Sequence, residues 1–106
     1  MIILIDDDEL IQTSWILAAN KNSKNLKCFF SIDEFLENAE LYSKDVVIFI
    51  DSNLANGKRG EIESEKLYQN GFKNLYLATG YNAEDIKKPE WIKKVFGKKF
   101  PSEFLK

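Results

Sequence analysis

The sequence contains no histidine and only one cysteine, Cys28. Without an imidazole, the chain cannot perform Ser-His-Asp or Cys-His catalysis, bind zinc through histidine, or donate a phosphoryl group from histidine. A single cysteine excludes an intramolecular disulfide and a cysteine cluster for zinc, and it favours a reducing compartment. Any chemistry here must come from carboxylates, lysines and hydroxyl groups.

The chain also lacks a long apolar segment and a strong net charge. Met1 leads directly into the short run Ile2–Ile5, with no basic region or cleavage site, so we expect a cytoplasmic protein without a membrane partner. The 15 basic and 17 acidic residues give a net charge of -2, which argues against a nucleic-acid partner. A length of 106 residues, 44% of them hydrophobic, predicts a single domain over residues 1–106.

Short apolar runs alternate with helical patterns along the chain. The runs at 2–5 and 46–50 are apolar throughout, which is typical of strands buried on both faces of a parallel sheet. Predicted strands cover residues 2–5, 26–30, 46–50, 75–78 and 95–96, and predicted helices cover 8–20, a segment after Ser31, 61–70 and 82–88. This alternation predicts an α/β fold with a doubly wound, five-stranded parallel sheet.

Local signals mark the ends of the predicted helices. Ser31 and Glu34 form a capping-box pattern, in which the serine caps the helix and the glutamate reaches back to the cap. Gly71 suits the left-handed position that ends the third helix, and Pro89 limits the fourth.

Polar side chains follow the predicted strands at one edge of the sheet. Asp6 to Asp8 follow the first strand, Asp51 the third and Thr79 the fourth, and a lysine pair follows the fifth. Ligands of open parallel sheets bind at this carboxyl edge. Carboxylates brought together repel one another unless a cation such as Mg²⁺ neutralises them, and a hydroxyl and a lysine can bind phosphoryl oxygens. The pattern predicts a Mg²⁺-dependent phosphoryl site with an aspartate acceptor.

These residues resemble the receiver domain of two-component response regulators. The matching features are Ile3-Leu4-Ile5-Asp6-Asp7-Asp8-Glu9, Asp51 and Thr79-Gly80 at the ends of apolar strands, and a lysine-proline cluster near the end of the chain. The spacings from Asp7 to Asp51 (51 − 7 = 44) and from Asp51 to Thr79 (79 − 51 = 28) fit the family. The resemblance implies a flavodoxin-like strand order, 2-1-3-4-5.

The resemblance also implies a role for each acidic residue. Asp51 corresponds to the phosphoacceptor, and Asp6 and Asp7 to the acidic pair that holds Mg²⁺ directly or through water. Asp51 would also bind the metal, and Asn53 would offer it a backbone carbonyl.

The hydroxyl and the lysine have counterparts in the family too. Thr79 matches the hydroxyl that follows the phosphoryl group. Lys98, directly after Gly97, is the favoured phosphoryl-binding lysine, and Lys99 is the alternative because it places Phe96 three residues earlier, where the family often has an aromatic residue.

The resemblance implies a stand-alone response regulator rather than an enzyme. Asp51 would accept a phosphoryl group from a histidine kinase or phosphotransfer protein, and the changed state would alter contacts with a downstream protein. One alternative is a receiver-like interaction module that works without phosphorylation. A less favoured alternative is a small Mg²⁺-dependent phosphatase, because Asp51-Ser52-Asn53 lacks a second aspartate to serve as the acid.

The chain departs from the family near its C-terminus, where a fifth helix would be shortened or missing after Pro101. Apolar surface on one sheet face would then lie open. We expect Phe100, Phe104, Leu105 and Trp91 to cover it, either by folding back or by packing against a second copy as a homodimer.

Overall fold

The computed structural model describes residues 1–101 of the chain, without the side chain of Ala83. Five strands form the sheet: β1 (Ile2–Ile5), β2 (Leu26–Phe29), β3 (Val47–Ile50), β4 (Leu75–Ala78) and β5 (Ile92–Phe96). All neighbouring strands are parallel, and their order is β2-β1-β3-β4-β5. The predicted flavodoxin-like sheet is therefore confirmed.

The strand β5 is longer than its sequence pattern predicts. It begins at Ile92 instead of Val95, because the exposed residues Lys93 and Lys94 belong to the strand. A register shift between Leu75 and Tyr76 accommodates this part of β5. Charged side chains are common on edge strands, where they discourage pairing with other chains, so the apolar signal here was weak.

Within residues 1–101, four α-helices lie between successive strands from β1 to β4: α1 (Glu9–Lys21), α2 (Ile32–Glu37), α3 (Gly60–Glu63) and α4 (Glu65–Gln69). The single helix predicted over 61–70 is divided at Ser64, whose hydroxyl donates to the Glu61 carbonyl at 3.0 Å. Such a bond from serine back to the helix backbone favours a bend.

The prediction of a helix over 82–88 is wrong, since that segment contains only a 3-10 turn at Ala83–Asp85. Two further 3-10 turns lie at Ala39–Leu41 and Ala55–Gly57.

The predicted helix boundaries are otherwise close to those observed. The Ser31 hydroxyl caps α2 by accepting from the Glu34 backbone N–H at 3.0 Å. Glu34 reaches back to the N–H of Phe30, one residue before the predicted partner. Gly71 follows α4 with a φ of 96°, which confirms the left-handed helix end.

Helices cover both faces of the sheet. Trp15 of α1 packs on the face formed by Ile2, Leu4, Phe49 and Ala78. Residues of α2 and α4 pack on the other face, in a larger cluster of Ile3, Ile5, Phe29, Ile32, Phe35, Ile48, Ile50, Leu67, Phe72, Leu75 and Leu77 with its neighbours. This two-sided packing confirms the doubly wound arrangement.

The face that carries α1 is only partly covered by the described residues. Tyr76 and Phe96 remain half-buried there, while Phe100 packs edge-on against Trp15 with 5.2 Å between ring centroids. Phe100 thus lies on the expected face, but the prediction for Trp91 is wrong because Trp91 packs on the opposite face. Phe104, Leu105 and the predicted fifth helix lie outside the described residues. Within residues 1–101, no helix combines the length and apolar character required to cross a membrane.

Candidate functional site

The carboxyl ends of β1 and β3 bring three carboxylates together. The two strands are direct neighbours, so Asp6 at the end of β1 lies beside Asp51 at the end of β3. Asp6 is fully buried and Asp51 is 5% exposed, whereas Asp7 faces solvent. Each of the three offers an oxygen within 4.8 Å of the others. The structure therefore places the carboxylates that the sequence analysis suggested as metal ligands in one cluster.

Lys98 brings a positive charge to this cluster from the segment after β5. Its Nζ lies 2.6 Å from Asp51 Oδ1 and 2.8 Å from Asp6 Oδ2. Its neighbour Lys99 is exposed and forms no ion pair within residues 1–101. Of the two lysines considered from the sequence, Lys98 is therefore the one that contacts the acidic cluster.

Thr79 lies at the end of β4, next to β3. Thr79 is buried, and its hydroxyl lies 2.6 Å from the hydroxyl of Ser52. The same Thr79 oxygen accepts a hydrogen bond from the backbone N–H of Tyr81 at 3.1 Å. Ser52 is thus the partner of the Thr79 hydroxyl, a contact that no sequence pattern indicates.

Asn53 approaches Asp51 through its backbone. Its backbone N–H favours the ionised form of the Asp51 carboxylate and so acts to lower the pKa of Asp51, while its side chain is exposed. Together with Asp51, Thr79 and Lys98, it lines an open cavity of about 340 Å³. The predicted metal contact of the Asn53 carbonyl stays a prediction.

Burial shapes the electrostatics of this site. It raises the pKa of Asp51, and the charge of Asp6 adds to the rise, although the hydrogen bond and the charge of Lys98 and, to a smaller extent, the backbone N–H of Asn53 oppose it. The pKa of Lys98 is raised as well: burial disfavours its ammonium form, but hydrogen bonds to Asp51 and Asp6 outweigh this. The ionised form of Asp51 is therefore disfavoured, and an added cation would relieve that cost.

We expect Asp51→Asn to stabilise the metal-free protein by about 1 kcal/mol near neutral pH, the usual size of a single-substitution effect. A group whose folded pKa is raised contributes stability below its unfolded value, 3.8 for Asp51, and that contribution is lost as pH rises through the folded pKa. The free energy of unfolding of Asp51→Asn, relative to that of wild type, should therefore increase from about pH 4 to about pH 7. Urea unfolding in EDTA at both pH values measures this. An equal difference at the two pH values would contradict it.

One residue that lines the cavity, Tyr81, contacts the loop that follows Asp51. The Arg59 guanidinium lies over the Tyr81 ring at 5.4 Å and pairs with Glu61 at 2.9 Å. Tyr81 is about half exposed and lines the cavity. The neighbouring Lys58 is exposed, whereas Arg59 makes these defined contacts.

Two residues of α1 that no sequence motif marks as functional, Gln12 and Trp15, contact the backbone of the site. Trp15 donates a hydrogen bond to the Lys98 carbonyl, and Gln12 donates to the Asp6 carbonyl, both at 2.8 Å. A buried glutamine on the apolar face of α1 breaks the amphipathic pattern, but nothing in the sequence indicates its acceptors.

The donor set suits a hard cation. Carboxylate oxygens are the ligands that hard divalent ions prefer, and the exposed Asp7 leaves part of the coordination shell open to water. The cluster of Asp6, Asp7 and Asp51 could therefore hold a metal ion.

A scan against models of protein families found no match to the chain, and searches of curated proteins and of solved structures found none either.

Proposed function

We propose that the chain is a receiver that accepts a phosphoryl group on Asp51 from a phosphohistidine of a partner kinase or phosphotransfer protein. The observation that carries this proposal is the position of the Lys98 ammonium between Asp51 and Asp6 at the edge of an open cavity. The phosphorylated form would differ in its contacts with a downstream protein. A receiver of this kind is a phosphoacceptor and not an enzyme acting on other substrates.

The proposed transfer uses the residues of the cluster in distinct roles. A carboxylate oxygen of Asp51 attacks the phosphorus, the bond from phosphorus to the donor nitrogen breaks, and the electron pair stays on the imidazole, which takes up a proton. Lys98 pairs with one phosphoryl oxygen. The Thr79 hydroxyl leaves Ser52 and hydrogen-bonds a second phosphoryl oxygen. Mg²⁺, held by Asp6, Asp7 and Asp51, would neutralise charge on the phosphoryl oxygens.

The test uses small phosphoryl donors and a phosphoryl mimic. With Mg²⁺ and phosphoramidate, intact-mass spectrometry should show the addition of one phosphoryl group per chain, and Asp51→Asn should abolish it. Beryllofluoride with Mg²⁺ should shift the backbone amide signals around Thr79 and Lys98, because both side chains gain new acceptors. The absence of any metal-dependent mass or spectral change in the wild-type protein would refute the proposal.

A second candidate is an interaction module that works without phosphorylation. It is favoured by the ion pairs of Lys98, whose single ammonium contacts both Asp6 and Asp51 and offsets part of their charge. A module of this kind would bind its partner with the same affinity in EDTA and in Mg²⁺ with beryllofluoride. The receiver proposal instead expects the affinity to differ between these two conditions.

A further inference from the structure

The indole of Trp15 ties helix α1 to the segment that carries Lys98. Trp15 is fully buried, and its Nε1–H donates a 2.8 Å hydrogen bond to the backbone carbonyl of Lys98. Its ring packs edge-on against Phe49 on one side and Phe100 on the other, each with ring centroids 5.2 Å apart. These contacts fix the indole, so its N–H is directed at a single acceptor.

Gln12, on the same helix as Trp15, hydrogen-bonds the backbone of Asp6, which pairs with Lys98. Its Nε2 donates to the backbone carbonyls of Asp6, at 2.8 Å, and Phe29, at 3.1 Å. Gln12 and Trp15 lie three residues apart, on one face of α1. One rigid helix therefore holds the backbones of Asp6 and Lys98, whose side chains meet at 2.8 Å.

We propose that Trp15 is a positioning residue for Lys98: its indole hydrogen bond to the Lys98 carbonyl keeps the ammonium between Asp6 and Asp51. The expected effect on phosphorylation rests on the proposed phosphoacceptor function, whereas the hydrogen bond between Trp15 and Lys98 does not depend on it. Lys98 lies beyond the end of β5 and follows Gly97, and its side chain is long and flexible. A fixed Lys98 backbone restricts the positions that the ammonium can reach. A displacement of a reacting group by about 1 Å can lower a reaction rate by a large factor, so this restriction would favour phosphoryl transfer.

The chain supplies a matched control. Trp91 also donates a 2.8 Å indole hydrogen bond, but to the hydroxyl of Ser64 on the opposite face of the sheet. Trp15→Phe and Trp91→Phe each keep an aromatic ring and lose one indole donor. A general loss of packing would therefore affect both variants, whereas a positioning effect on Lys98 would affect only the first.

The direct readout is the ¹H–¹⁵N signal of the Lys98 side-chain ammonium in Mg²⁺-free buffer. Wild type and Trp91→Phe should show a slowly exchanging signal, because two carboxylates hold the group, and Trp15→Phe should weaken or lose it. At saturating phosphoramidate and Mg²⁺, the phosphorylation rate of Trp15→Phe should fall about tenfold, and that of Trp91→Phe should change less than about twofold.

The outcomes separate this inference from the proposed function. If wild type is not phosphorylated but Trp15→Phe alone loses the ammonium signal, the function fails and the positioning role stands. If Trp15→Phe keeps the wild-type signal and rate, or if wild type has no such signal, the positioning role is overturned. Should Trp15→Phe fail to fold, a synthetic chain with benzothienylalanine at position 15, which replaces the indole N–H by sulfur, gives the same comparison.

Discussion

Replacing Lys98 by methionine is expected to lower the free energy of unfolding by about 2 to 3 kcal/mol in metal-free buffer near neutral pH. The substitution keeps most of the apolar side chain but leaves Asp6 and Asp51 side by side without their ammonium. Removing one partner of a buried ion pair costs about 3 to 5 kcal/mol. We expect less here because the Lys98 side chain is 28% exposed and water can partly replace it. Urea unfolding followed by tryptophan fluorescence measures the loss.

Mg²⁺ should recover much of the stability that Lys98→Met loses, since a divalent ion can neutralise the same carboxylates. Lys99→Met is the matched control: Lys99 is exposed and adjacent, so its replacement should change stability by less than about 0.5 kcal/mol. Equal losses in the two variants would contradict the pairing of Lys98 with the acidic cluster. A deficit that Mg²⁺ leaves unchanged would argue against a metal at this cluster.

The sheet could be predicted from the sequence because its central strands have an unambiguous pattern. The apolar runs of β1 and β3 can be buried only between two layers of helices, and Asp6 and Asp51 follow them directly. Parallel strands that end in carboxylates present them at one edge of the sheet, and the strand order implied by the resemblance makes β1 and β3 direct neighbours, as the structure shows.

The features that sequence reasoning missed depend on tertiary partners. Gln12 is buried because two backbone carbonyls accept its amide, and both acceptors lie outside its own helix, 6 and 17 residues away. An aromatic residue on the apolar face of α1 predicts core packing for the Trp15 ring, but no sequence pattern indicates that its N–H is directed at the Lys98 carbonyl. Likewise, the break between α3 and α4 at Ser64 involves a hydroxyl that also accepts from Trp91, 27 residues away. Helix periodicity carries no information on such contacts.

Gly60→Ala is expected to lower the free energy of unfolding by about 2 to 3 kcal/mol and to disturb the Asp51 backbone. Gly60 begins α3, and a Cβ added there would overlap the backbone carbonyl of Asp51 and lie 3.0 Å from the Ile50 side chain. Neither the end of β3 nor the start of α3 can move freely, because the Gly60 N–H donates to the Ser52 carbonyl at 3.0 Å. Overpacking of this kind typically costs about 1 to 3 kcal/mol.

Gly97→Ala provides the control for this substitution. A Cβ at Gly97 meets no described atom within 4 Å, and its φ lies outside the left-handed region. Because alanine loses less conformational entropy on folding, this variant should be neutral or more stable by up to about 1 kcal/mol. Opposite signs for the two glycines would show that Gly60 is required by the close approach of α3 to the end of β3. A Gly60→Ala variant with wild-type stability and unshifted amide signals at Asp51 and Ser52 would contradict that close approach.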